Sequence, residues 1–85
     1  MGRYFFDLHE DDLTISDTVG EDLADRENAG HRASYILTQI AGDAPLTDGG
    51  KRLSATVRDE ANRIVFTATL NIVGEWGELG TEPFG

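Results

Sequence analysis

Asp17-Thr18-Val19-Gly20-Glu21-Asp22-Leu23-Ala24-Asp25 is the stretch on which the fold turns. Asp25 is a favourable N-cap, because its short carboxylate can accept from the free amides of a first helical turn. Leu23 stands where an apolar residue can staple that turn, and Gly20 permits a sharp reversal ahead of it. Upstream, Tyr4, Phe6 and Leu8 alternate with Arg3, Phe5, Asp7 and His9, the period of two of a strand. Glu10-Asp11-Asp12 reads as a polar turn and Leu13-Thr14-Ile15 as a short returning strand. Downstream, Ala29, Ala33, Ile36, Leu37 and Ile40 recur at three- and four-residue steps. That spacing predicts a helix over about residues 25–41, with one apolar stripe and Gly42 as its C′ residue. Gly30 inside it costs about 1 kcal/mol relative to Ala, so packing on a sheet must hold the segment.

Beyond a loop at Ala44–Gly50, Leu53, Ala55 and Val57 alternate with Ser54, Thr56 and Arg58. On the return, Ile64, Phe66, Ala68, Leu70 and Ile72 alternate with Val65, Thr67, Thr69 and Asn71, which makes a second hairpin. Its turn holds a conflict. Keeping every apolar residue on one face pairs Val57 with Ile64 and leaves Glu60-Ala61 as a two-residue loop, which wants positive φ that neither residue supplies. A type I turn with Asn62 as the bulge residue suits the local chemistry but shifts the register by one, so the register stays open. The expected class is α+β in the order ββαββ, a small antiparallel sheet with one helix on one face. Residues 1–73 form the expected domain. Residues 74–85 are Gly-rich, acidic and aperiodic, which reads as a tail.

Eighty-five residues allow one small core. There is no cysteine, hence no disulfide or thiolate metal site. No apolar run is long enough to span a bilayer and nothing resembles a signal peptide, so a cytoplasmic protein is expected. The net charge is −9 and unevenly placed, with nine acids against two arginines in the first 27 residues. Such a field repels phosphate backbones and anionic lipid. Nucleic acid and membrane are therefore not expected partners, whereas a basic protein is admissible.

Three ordered motifs carry a resemblance: the Arg3-Tyr4-Phe5-Phe6-Asp7-Leu8 start, the Asp17…Gly20…Leu23…Asp25 lead-in, and Val57-Arg58-Asp59-Glu60-Ala61-Asn62-Arg63-Ile64-Val65. Over roughly its first seventy residues the chain resembles a family of small bacterial domains of unknown function, of rhizobial type. Members of that family often carry His where this chain has Asp7, and Gly where it has Asn62. Asn tolerates the left-handed conformation better than most residues. The resemblance implies a compact α+β fold and no established activity.

Candidates for chemistry are few. Asp7 and His9 stand two apart on a strand and share a sheet face beside the Glu10-Asp11-Asp12 cluster, so imidazole and carboxylates could hold a divalent ion. An exposed polar strand end explains the same residues, and the spacing is not that of a calcium loop. His31 falls on the polar side of the helix. Ser16, Ser34 and Ser54 lack the strained setting of a hydrolase nucleophile. Gly49-Gly50-Lys51 is followed by a strand where a phosphate loop needs a helix. No enzyme, cofactor or metal is expected. Phe5 and Val65 are placed on the sheet face away from the helix, and Trp76 and Phe84 are large aromatics in the tail. These four are the expected interaction residues. The leading expectation is a non-enzymatic protein-interaction or regulatory module acting through the open sheet face and the tail, on a protein partner or a second copy. A metal- or small-ligand-binding domain at Asp7 and His9 is the alternative, and an acidic mimic that occupies a basic protein is a third.

Overall fold

The computed structural model describes residues 2–43, 49–75 and 77. Its elements are β1 (Gly2–Glu10), β2 (Leu13–Ile15), β3 (Glu21–Leu23), α1 (Arg26–Asp43), β4 (Gly49–Arg58) and β5 (Ile64–Gly74). The ββαββ order holds, with the three-residue β3 added inside the helix lead-in. All strands pair antiparallel in the order β2-β1-β4-β5, and β3 also pairs with β1.

The first hairpin closes through Asp11-Asp12, where Asp11 adopts φ 51°, a left-handed geometry suited to two-residue loops. The returning chain then runs back along β1 in two pieces. Leu13–Ile15 pairs with Leu8–Glu10, and Glu21–Leu23 with Gly2–Tyr4. Five residues (16–20) lie between those pieces, opposite only three of β1 (5–7), so the chain must bulge there.

Asp25 caps α1: its Oδ1 accepts from the Asn28 amide at 2.9 Å. At the other end the helix runs through Gly42 to Asp43, so Gly42 is helical rather than a C′ terminator. The core is one layer between α1 and the sheet. Ala29, Ala33 and Leu37 of the helix meet Phe6, Leu53, Ala55 and Val57, and Tyr4, Leu8, Leu23, Ile36, Ile40, Ala68 and Leu70 flank them. Gly30 is buried because the Phe66 ring lies against it.

The second hairpin resolves its conflict with two irregularities. The Asn62 amide donates to Asp59 O at 2.9 Å and Asn62 takes φ 63°, a type I turn closed by a left-handed residue. Arg58 therefore faces Ile64. A bulge follows, so that Val57 faces Phe66, and from there the apolar residues Phe66, Ala68, Leu70 and Ile72 share the helix face. The turn fixed one register and the bulge at Val65 restored the pattern the core demands.

That bulge corrects the placement of Val65. It packs against the core cluster, and Ile64, opposite Arg58, takes the place on the far face, 67% exposed.

Candidate functional site

The three motifs meet at one junction on the sheet face away from α1. Alternation on β1 puts Arg3, Phe5 and Asp7 there, and pairing with β4 sets Arg58 opposite Phe5. Arg58 reaches across to Asp7, with Nε to Oδ2 at 2.6 Å and Nη2 to Oδ1 at 3.0 Å, a bidentate pair. Its Nη2 also donates to Asp17 O and its Nη1 to Asn62 Oδ1. The guanidinium lies 5.2 Å from the Phe5 ring centroid.

Asp17 fills the gap in the return strand. Its Oδ2 accepts from the Phe6 amide, in place of the backbone carbonyl an unbroken strand would supply. Its Oδ1 accepts from Val19 and Gly20, and its own amide donates to Asp7 Oδ1. Arg3 clamps the same loop, donating to Val19 O at 2.7 Å and to Asp22 Oδ2 at 3.1 Å, while Glu60 Oε1 accepts from the Arg3 amide. Gly20, at φ 76°, lies so close that a Cβ there would fall 2.9 Å from Arg3 Cγ and from the Phe5 ring.

The electrostatics follow from these contacts. Hydrogen bonds from the Arg58 guanidinium hold Asp7 below the usual carboxylate range against the opposing effect of burial. Burial pushes Asp17 up, but the amides of Gly20, Phe6 and Val19 outweigh it and the net shift is downward. Asp59 is lowered chiefly by the Arg63 amide. Arg58 is raised, first by its bond to Asp7.

Each expected site residue now has a place. Phe5 is half-buried, covered within the chain by the 16–20 loop and Arg58 rather than left open on the sheet. Asp7 is committed to Arg58 and the Asp17 amide, so the carboxylate considered for a divalent ion is already engaged. His9 Nδ1 lies 3.2 Å from Thr14 Oγ1, and the ring borders an open depression with Asp11, Arg52 and Ser54. His9 and Ser54 are cross-strand neighbours, but the imidazole is turned to Thr14. Among the described residues no group of three or more His, Cys, Asp or Glu is placed to hold a metal. Trp76 and Phe84 lie outside the described residues.

Sequence reading passed over Asp17 and Arg58 as interacting groups. One signal was available: Arg58 is a cation at the turn end of the alternating face that carries Arg52, Ser54 and Thr56, and Asp7 shares that face one strand away. Long-range pairing was needed to join them.

The junction is a structural clamp. The unpartnered feature lies at the other side of the sheet. β5 pairs with β4 alone, and its outer edge faces no strand among the described residues. Its eleven residues, Ile-Val-Phe-Thr-Ala-Thr-Leu-Asn-Ile-Val-Gly, include no charge and no proline in a chain that is 27% charged. Thr67, Thr69 and Asn71 are exposed, as are Ile64, Phe66 and Val73. Native edges are usually blunted by charge, proline or brevity. The opposite edge follows that rule, with two three-residue strands, an interruption, and Asp11, Asp12 and Asp22 along it.

Comparison with known families places a model described as a domain of unknown function (DUF6894) on residues 3–71, a span that takes in all three motifs and most of β5. No curated protein and no solved structure matches the chain. No helix of the described residues is long and apolar enough to cross a membrane.

Proposed function

Because the chain belongs to the DUF6894 family, a membership that assigns no activity, we propose from its surface chemistry that it is a non-enzymatic protein-interaction module that works by strand addition at β5. The observation that carries the reading is the uncharged, proline-free outer edge of an eleven-residue strand. Unpaired backbone groups along such an edge bind another strand through main-chain hydrogen bonds, and alternate side chains set specificity. The clamp at Asp7, Asp17 and Arg58 holds the far side of the sheet, which leaves β5 as the surface free to change partners. A cytoplasmic setting fits a cysteine-free chain of this charge.

The test is capture from a native lysate on the immobilised full chain, beside a Thr67→Lys/Asn71→Lys variant. Both positions are exposed, so the added charge bears on the edge and not on the core. Proteins retained by the parent chain and lost from the variant are the expected result. Equal retention by both would move the binding surface elsewhere, and no specific retention by either would sink the interaction reading.

A further inference from the structure

We propose that the occupant of the β5 edge is a second copy of this chain, paired antiparallel about a two-fold axis through Thr69. The inference deepens the interaction reading and rests on it. An antiparallel partner must offer the same polarity pattern read in reverse, and β5 supplies that pattern to itself. With Thr69 opposite its own copy, Thr67 meets Asn71, Ala68 meets Leu70 and Phe66 meets Ile72. Pairing within the molecule fixes which face each residue takes. Phe66, Ala68, Leu70 and Ile72 stand opposite Val57, Ala55, Leu53 and Lys51, and Thr67, Thr69 and Asn71 opposite Thr56, Ser54 and Arg52. The two-fold thus sets apolar against apolar on the helix side and hydroxyl or amide against its like on the other, and such cross-strand pairs are what stabilise a sheet.

Charge selects the same partner and the same direction. Two copies at −9 repel over most of their surface, and β5 is where they can meet without like charges in register. The strand is flanked by Arg63 at its start and Glu75 at its end. The Arg63 side chain is paired with Asp59 of its own chain at 2.9 Å but stays 78% exposed, and Glu75 is exposed. Antiparallel pairing about Thr69 brings the Arg63 end of one copy to the Glu75 end of the other, twice over; a parallel arrangement would set arginine beside arginine. A symmetric pair closes on itself and joins two four-strand ladders into one continuous sheet, which covers at once both β5 edges that face no strand among the described residues.

Because the chain has no cysteine, Thr69→Cys introduces a single thiol. Directly opposed residues in an antiparallel pair have Cα atoms about 4.5–5.5 Å apart, within disulfide reach. Mild oxidation is expected to convert Thr69→Cys to a covalent dimer, while Ser34→Cys, on the helix surface, gives no covalent cross-link under the same conditions. Sedimentation equilibrium is expected to show a dimer for the parent chain and at least tenfold weaker association for Thr69→Lys, with an unchanged far-ultraviolet spectrum. Glu75→Arg should also weaken it. A parent chain that stays monomeric at several hundred micromolar, or a dimer indifferent to Thr69→Lys and not cross-linked through Thr69→Cys, overturns the proposal. A monomer that still loses its captured partners on Thr67→Lys/Asn71→Lys overturns the dimer alone and keeps the strand-addition reading.

Discussion

Gly20 and Gly30 are both glycines in crowded places, and they make opposite predictions. At Gly20 the backbone is left-handed and a Cβ would fall 2.9 Å from both Arg3 Cγ and the Phe5 ring. Gly20→Ala is therefore expected to lose about 1–3 kcal/mol in urea unfolding, through strain and displacement of the clamp. At Gly30 the backbone is helical and a Cβ would meet the Phe66 ring at 3.4 Å, close to ordinary contact. Phe66 is 39% exposed and can yield, so the helix preference for Ala dominates and Gly30→Ala should gain up to about 1 kcal/mol. A loss of that size instead would show the ring cannot move. The carboxylates of the same region set the acid limit. Asp7, Asp17 and Asp59 all have folded-state values lowered from the ordinary one. Above about pH 4 their contribution is fully present, and it is lost as pH falls through the lowered values, where the unfolded chain binds more protons than the folded one. Stability of the parent chain should fall steeply below about pH 4, and Asp7→Asn should flatten that fall while lowering stability at pH 7. An acid limb of equal slope in both would mean the ion pair with Arg58 does not couple to folding.

Among the elements, α1 divides its apolar stripe unequally. Leu37 is 3% exposed and Ile36 only half-buried, although the spacing of the sequence treats them alike. Leu37→Ala should cost about 2–5 kcal/mol and Ile36→Ala clearly less, since the cavity term needs a closed surround. Asp25→Ala should cost about 0.5–2 kcal/mol by freeing the amides it caps. Chemical denaturation of the three variants settles the ranking, and a larger loss at Ile36 would mean the helix is rotated. These elements were legible because local rules determine them: a cap, a period near 3.6, a period of two. The Asn62 turn was legible for the same reason. Val65 was not, because the bulge that turns it inward answers to the register the core imposes on β5, and that demand is invisible until both strands are placed. Phe5 stands on the face that its alternation assigns, but its cover was not legible for a related reason. Its cover comes from a loop 15 residues on and a guanidinium 53 residues on, contacts no periodicity encodes.

For the whole molecule the governing quantity is a net charge of −9 on a body whose described residues span 55 × 26 × 17 Å. Repulsion between two such bodies acts over tens of ångströms, well beyond the screening length of about 10 Å at 0.1 M salt, so salt removes most of it. Contacts between Arg63 of one copy and Glu75 of the other would lie within that length and be screened far less. Burial of Phe66 against Ile72 and of Leu70 against Ala68 across the two-fold is not opposed by salt. The balance gives a sign: association through β5 should tighten several-fold between about 20 mM and 300 mM sodium chloride. Most surface ion-pair interfaces weaken over such a range. Sedimentation across that series reads the effect directly. Association that weakens as salt rises would put the charged ends, not the uncharged strand, in control of the contact, and the pairing about Thr69 would have to give way to an interface built on Arg63 and Glu75 alone.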